Sequence, residues 1–141
     1  MQSGRPLLVI VSGVPASGKT TLARRLAADG DLTLLSKDAI KEALADALGH
    51  PQSVVASSTL GVGAYAALSA MASRLLESSV GVVLESNFRR GTIQDELTRL
   101  APGADAWAVH CALGRRPSET GTGVARPSVT RLILMQPAAR M

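Results

Sequence analysis

Three observations predict an α/β fold with a mainly parallel sheet. Short apolar runs that suit buried strands occur at residues 7–12, 32–35, 80–84 and 104–111. The segments between them carry apolar residues at helical spacing. Of the residues, 46% are hydrophobic but only one each is Phe, Tyr and Trp, so the core must consist mostly of Leu, Val, Ile and Ala. The order β-α-β-α-α-β-α-β predicts parallel strands with helices on both faces.

Start and stop residues delimit the helices. The first helix follows Gly18 and ends at Gly30. A second opens at residues 36–38 and stops at 49–51, which read Gly-His-Pro. Residues 53–78 have a helical period in their second half, whereas their first half contains two glycines and stays undetermined. A short helix is predicted over 92–100.

Length and charge define one domain with a distinct tail. A chain of 141 residues suits a single domain. Residues 1–112 contain ten basic and ten acidic residues, whereas 113–141 contain five arginines and one acid, so the net charge of +4 lies in the tail. We therefore predict a core over 1–112 and an irregular or disordered basic tail over 113–141. Residues 129–135 could form a fifth strand or a frayed apolar end.

The composition indicates which cellular compartment and which binding partners to expect. The single cysteine, Cys111, excludes an internal disulfide, and only His110 lies near it, so zinc spacing is absent. The first apolar run is too short for a signal sequence or a membrane span. We expect a soluble cytoplasmic protein without membrane contact. The tail lacks interleaved aromatic residues, so nucleic-acid binding is a less favoured alternative.

Residues 13–20 match the phosphate-loop pattern G-x-x-x-x-G-K-[ST]. A buried strand enters this loop and a helix leaves it, so backbone N–H groups and the helix N-terminus can hold phosphate oxygens. Lys19 is predicted to reach the β- and γ-phosphates, and the Thr20 hydroxyl to ligate Mg²⁺. The bland alternative is a glycine-rich turn with a solvated lysine. The predicted nucleotide-binding residues are Gly13, Val14, Pro15, Ala16, Ser17, Gly18, Lys19, Thr20 and Thr21.

A second candidate site follows the second strand. Asp38 would lie at the carboxyl edge of the sheet, where open α/β sheets bind ligands. It can accept the proton of an attacking hydroxyl, with Lys41 one turn later binding phosphate or acceptor. The alternative is that Asp38 only caps a helix.

The third strand ends in an acid, Glu85, which could hold a Mg²⁺-bound water. Ser86 and Asn87 would then face the cleft. Arg89 or Arg90 could neutralise phosphate charge, although a solvated arginine pair explains them equally well.

Together, residues 13–20, 36–41 and 84–88 resemble the small P-loop kinases of the AAA-domain and zeta-toxin-like group, which includes polynucleotide 5′-kinase and chloramphenicol phosphotransferase. The likeness covers about residues 6–112. It implies a P-loop NTPase three-layer sandwich of four or five strands that uses ATP and Mg²⁺. It maps the catalytic base to Asp38 and the neighbouring basic residue to Lys41.

Such kinases usually carry arginines on a helical lid after the fourth strand, but residues 113–127 are rich in Gly and Pro. We therefore expect an incomplete lid and C-terminal part, through truncation or an altered reading frame.

The favoured function is transfer of the ATP γ-phosphate to a hydroxyl of an unidentified small molecule or nucleotide. Its predicted catalytic residues are Asp38, Lys19, Lys41 and Arg89. The main rival is a nucleotide-binding module or degenerate NTPase without efficient transfer. ATP is preferred over GTP because the guanine-reading Asn/Thr-Lys-x-Asp motif is missing. Acceptor residues are expected within 50–75 and in the lid.

Overall fold

The computed structural model describes residues 4–14, 16–87, 95–96, 99–113, 127–129 and 133–134. In chain order its strands and helices are β1 (Leu7–Gly13), α1 (Lys19–Gly30), β2 (Thr33–Ser36), α2 (Lys37–Leu48), α3 (Val54–Glu77), β3 (Val82–Ser86), β4 (Asp105–Leu113), β5 (Pro127–Val129) and β6 (Ile133–Leu134). A 3₁₀ turn, Ala101–Gly103, precedes β4. The α/β fold predicted from the sequence is confirmed.

The sheet has the strand order β2-β3-β1-β4-β5, with β6 also pairing with β4. The first four strands of this order are mutually parallel. β1 lies in the middle and is buried along nearly its whole length, which explains why its sequence is an almost unbroken apolar run. The carboxyl ends of β1, β2 and β3 therefore meet at one edge of the sheet.

Two apolar cores lie on opposite faces of the sheet. Alternate residues of β1 separate between them: Leu8 and Ile10 pack with the α3 side, and Val9 and Val11 with the α1 side. The α3 core includes Leu68 and Leu76, whereas the small residues of α1 let that helix approach the sheet closely. Helix, sheet and helix thus form the three layers of the predicted sandwich.

Helix α3 is continuous, which settles the undetermined first half of the segment. Its N-cap is Ser53, whose Oγ accepts a hydrogen bond from the N–H of Ala56 at 3.0 Å. The helix ends in a turn in which Val80 donates to the Leu75 carbonyl at 2.9 Å and Ser79 is left-handed, with φ 60°. Because this turn uses residues 78–80, β3 begins two residues later than the predicted strand.

Helix α3 is, by length and composition alone, long and apolar enough to cross a membrane. Core helices of soluble proteins share these two features. Here the inward face of α3 supplies Leu68, Ala72 and Leu76 to the core, as expected of a helix packed on a sheet. Its first half leaves Val54, Val55 and Val62 exposed.

Two segments of the basic tail pair with the outer edge of β4. In antiparallel register, Cys111 lies opposite Val129 and Trp107 opposite Leu134. Residues 127–129 and 133–134 extend the sheet to six strands, and residues 133–134 fall within the segment for which a strand was one of the two alternatives. The tail's five arginines lie outside the described residues. Of the helix predicted over 92–100, residues 95–96 and 99–100 are helical and the others lie outside the described part.

Candidate functional site

The loop between β1 and α1 has a backbone that requires glycine. A Cβ at Gly13 would lie 2.6 Å from the Cys111 carbonyl oxygen and 2.6 Å from Ser17 Oγ, so no side chain fits there. Gly18 is left-handed, with φ 83°. Ala16 is also left-handed, with φ 63°, a conformation that non-glycine residues seldom adopt outside specialised loops. The spacing of the two motif glycines thus has a direct steric cause.

Polar groups in this loop lack protein partners. The Ser17 Oγ is buried without a hydrogen-bond partner, and Lys19 is only 6% exposed. Helix α1 has no side-chain cap and no acid in its first turn, whereas α2 and α3 each have a serine cap. Free N–H groups at a helix N-terminus favour an anion. These groups together form a cradle that fits phosphate oxygens.

Glu85 completes the cradle from β3. The Thr20 hydroxyl donates to Glu85 Oε1 at 2.6 Å, although the two residues are 65 positions apart. Glu85 is 3% exposed, and its Oε2 is buried without a partner. A hydroxyl beside a half-satisfied carboxylate supplies the hard oxygen ligands that Mg²⁺ prefers. The residues predicted for Mg²⁺ therefore come together, and their donor set fits the ion.

Strand β4, which pairs with β1, places Cys111 and His110 beside the start of the loop. Burial raises the pKa of the Cys111 thiol, and the positive charge of Lys19 opposes that rise. Cys111 thus packs beneath the loop as an inert thiol. The exposed His110 places Nδ1 3.1 Å from the Oγ of Ser12, its register partner on β1.

The second candidate site lies at the start of α2. Ser36 is the N-cap, accepting from the N–H of Ala39 at 3.4 Å, so Asp38 does not cap the helix as the alternative explanation required. Asp38 is exposed in the first turn. Together with Lys41, His50 and Leu60 it lines a cavity of about 240 Å³. Helix capping therefore does not explain why an acid occupies position 38.

A larger cleft of about 960 Å³ opens between α2, α3 and the end of β3. Lys37 and Lys41 line its α2 wall, and the Lys41 ammonium donates to Ser57 Oγ of α3 at 2.9 Å. Ser86, the last residue of β3, and Asn87 directly after it also line the cleft, as the sequence predicted. Residues 51–65 supply the remaining lining, within the segment expected to contact the acceptor. We call this space the acceptor cleft.

A buried polar network behind the acceptor cleft was not predicted. Glu96 is 6% exposed and accepts from Ser69 Oγ at 3.0 Å and from the Arg99 guanidinium at 2.9 Å. Burial first, then a hydrogen bond and the negative charge of Glu96, raise the pKa of Tyr65, which lines the cleft. The available signal was a lone tyrosine and a lone buried serine on one face of an apolar helix.

The remaining predicted residues of the loop differ in burial. Val14 and Thr21 are exposed, as is Thr20 apart from its bond to Glu85. Pro15, Arg89 and Arg90 lie outside the described residues. The roles predicted for Asp38, Lys19, Lys41 and Glu85 remain predictions, although the described residues place each of them at the same edge of the sheet.

A glycine-requiring loop, an uncapped helix and a buried acid on the adjoining strand are features of the P-loop class of α/β proteins. The chain belongs to the AAA domain family, which matches residues 8–119.

Solved structures agree with this assignment. A candidate kinase from Chloroflexus aurantiacus is 37% identical with a TM-score of 0.67, over 77% of this chain and 59% of that one. The Pnkp1/Rnl/Hen1 complex shares the fold at 17% identity and a TM-score of 0.63, covering 97% of this chain and 49% of that one. So does the APS kinase CysC of Mycobacterium tuberculosis, at 18% identity and a TM-score of 0.54, covering 82% of both chains.

The chain thus spans about three-fifths of the length of the Chloroflexus protein. No curated protein matches it.

Proposed function

We propose that the protein binds ATP with Mg²⁺ and transfers the γ-phosphate to a hydroxyl of an acceptor held in the acceptor cleft. The observation that carries this proposal is the uncapped N-terminus of α1, with the buried, unpartnered Ser17 hydroxyl and the buried Lys19 around it. Elsewhere in the described chain, helices α2 and α3 satisfy their first turns with serine caps. The difference fits a helix whose N–H groups are reserved for a ligand.

Each residue has a distinct part in this reaction. The N–H groups of residues 16–20 and the Lys19 ammonium hold the phosphates and offset the charge that develops during transfer. Thr20 and Glu85 would hold Mg²⁺, which supplies further charge neutralisation when bound. Asp38 accepts the proton of the acceptor hydroxyl as its oxygen attacks the γ-phosphorus and the bond to ADP breaks. Lys41 orients the acceptor.

The rival proposal is a nucleotide-binding protein without efficient transfer. One observation favours it: Asp38 lines the smaller cavity and not the acceptor cleft itself. Under this rival, the cradle binds nucleotide as described, but the carboxylate does not reach the attacking hydroxyl. We also propose a cytoplasmic location, which the single, buried cysteine supports.

The test compares Asp38→Asn with Ser36→Ala in an assay of labelled γ-phosphate transfer to a panel of hydroxyl compounds. Asp38→Asn should reduce transfer by about 10²-fold or more, the usual contribution of a general base, and leave ATP affinity unchanged. Ser36→Ala removes the actual helix cap and should cost about 1 kcal/mol of stability while retaining transfer.

Wild-type ATP binding without transfer to any acceptor would favour the rival. Loss of ATP binding in Asp38→Asn would contradict the assigned role.

A further inference from the structure

The two lysines of the acceptor cleft converge on one point of its wall. A Cβ built on Gly61 of α3 would lie 3.7 Å from Lys37 Nζ and 3.8 Å from Lys41 Nζ. These lysines are one turn apart on α2, so their side chains lie on the same face of that helix. Gly61 is buried beneath the two ammonium groups, and its lack of a side chain lets both approach the backbone of α3.

Neither lysine forms an ion pair among the described residues, although Asp38 and Glu42 line the smaller cavity together with Lys41. No acid lines the acceptor cleft among the described residues. The three ion pairs in the described part of the chain involve His50, Arg74 and Arg99, and neither cleft lysine. Lys41 donates one hydrogen bond to Ser57, and an ammonium group has three donors. Two positive charges with donors to spare therefore face the cleft.

The combined charge of the two lysines indicates which kind of anionic ligand would bind there. A phosphomonoester carries about −1.5 to −2 charge near neutral pH, whereas a carboxylate carries about −1. A phosphate group therefore matches two ammonium groups, and its oxygens can accept from both. The neighbouring wall is apolar at Val54, Val62 and the Tyr65 ring, which suits the organic part of a larger molecule. At about 960 Å³, the cleft is far larger than a phosphate ion.

We propose that the acceptor is itself a phosphorylated hydroxyl compound, and that its phosphate binds between Lys37 and Lys41 against Gly61. The identity of this compound as acceptor rests on the proposed function, but the phosphate site does not. The site differs from the cradle, because none of the described residues among 13–14 and 16–20 lines the acceptor cleft. Ser57 holds the Lys41 ammonium toward the site.

The experiment measures binding of ribose 5-phosphate and of ribose to the full chain by calorimetry, with saturating ADP and Mg²⁺ to occupy the cradle. Ribose 5-phosphate should bind at least about tenfold more tightly, as expected from charge-assisted hydrogen bonds.

Gly61→Asp places a carboxylate beside both ammonium groups and should weaken ribose 5-phosphate binding by about tenfold or more. Gly61→Asn adds similar bulk without charge, so it should weaken binding less.

Gly63→Asp is the matched control. It adds the same charge to the same helix, but a Cβ at Gly63 has no atom within 4 Å, so binding should be unchanged. The double variant Lys37→Gln/Lys41→Gln removes both ammonium groups without altering α3, and should lose the preference for ribose 5-phosphate over ribose. If circular dichroism shows that Gly61→Asp does not fold, this double variant still tests the phosphate site.

Three results would overturn the proposal: absence of ribose 5-phosphate binding at millimolar concentration, equal affinity for ribose, or full binding in the double lysine variant. Binding that survives in that variant but is lost in Lys19→Ala would place the phosphate in the cradle instead. Failure of the proposed function looks different: ribose 5-phosphate then binds at the lysine pair, but no γ-phosphate is transferred to it.

Discussion

The cradle and the acceptor cleft lie side by side but are built in different ways. The cradle comes mainly from eight consecutive residues, and its shape depends on a glycine without room for a Cβ. The acceptor cleft is assembled by the packing of three separate elements, α2, α3 and β3, and a Cβ at its glycine would make only ordinary contacts of 3.7 Å or more. Local backbone geometry thus defines the phosphate-donor side, and tertiary packing defines the acceptor side.

The largest effect should come from adding one methyl group to the cradle. Gly13→Ala places that group 2.6 Å from a backbone oxygen of β4, so β1 or β4 must move. We expect a loss of about 1–3 kcal/mol or more in the free energy of unfolding, and loss of ATP binding.

Gly63→Ala in α3 is the comparison. It should leave stability unchanged or raise it by up to about 1 kcal/mol, because alanine favours helix. Urea unfolding measures both variants. Equal stability of Gly13→Ala and wild type would show that the cradle tolerates a side chain after all.

Lysine substitutions should separate the two regions. Lys19→Ala removes the buried ammonium of the cradle and should weaken ATP binding at least about tenfold. Lys41→Ala should leave ATP affinity intact and reduce phosphate transfer to the acceptor. Calorimetry with ATP and the transfer assay measure the two quantities. If both variants lost ATP binding equally, the cradle and the acceptor cleft would be one site.

The smallest expected effect is a change in the stability of the fold at high pH, caused by Tyr65 in the wall of the acceptor cleft. Burial and Glu96 raise the pKa of Tyr65 above its usual value near 10. Above about pH 10 the unfolded chain therefore loses this proton before the folded one does, and stability falls as pH rises. Below that pH both states keep the proton and the effect vanishes.

Tyr65→Phe should remove this part of the pH dependence. Because Tyr65 is the single tyrosine of the chain, the difference between the two proteins isolates its contribution. Urea unfolding of both proteins at about pH 9 and about pH 11 provides the measurement. Parallel stability losses in the two proteins would mean that Tyr65 ionises equally in the folded and unfolded states.

The sequence predicted the parallel core well because each of its elements carries a local signal. The apolar run of β1 and the glycines of the phosphate loop are contiguous, so their geometry follows from short-range sterics. The end of α3 was harder to predict. Its terminal turn includes Val80, although valine is a residue type that strands favour. For residues 129–135 the sequence left a strand and a frayed end as alternatives, and it did not indicate the pairing with β4, because short strands depend on a distant partner.

The residues of the candidate sites divide in the same way, into those with a local sequence signal and those that depend on distant contacts. Lys19, Thr20 and Glu85 could be named from the motif and from an acid that ends an apolar strand. The spacing of four residues places Lys37 and Lys41 on one face of α2. Nothing in the local sequence indicated that both approach Gly61, because that contact depends on the packing of α2 against α3. The link from Glu96 to Ser69 spans 27 residues and likewise has no local signature.

The alternation of side chains along β3 connects the two regions. Glu85 faces the cradle, and its neighbour Ser86 faces the acceptor cleft. For enzyme engineering, this makes β3 a fixed partition and the first half of α3 an exchangeable part. Replacing residues 53–62 could retarget the chain to new acceptors while the nucleotide side keeps its own geometry.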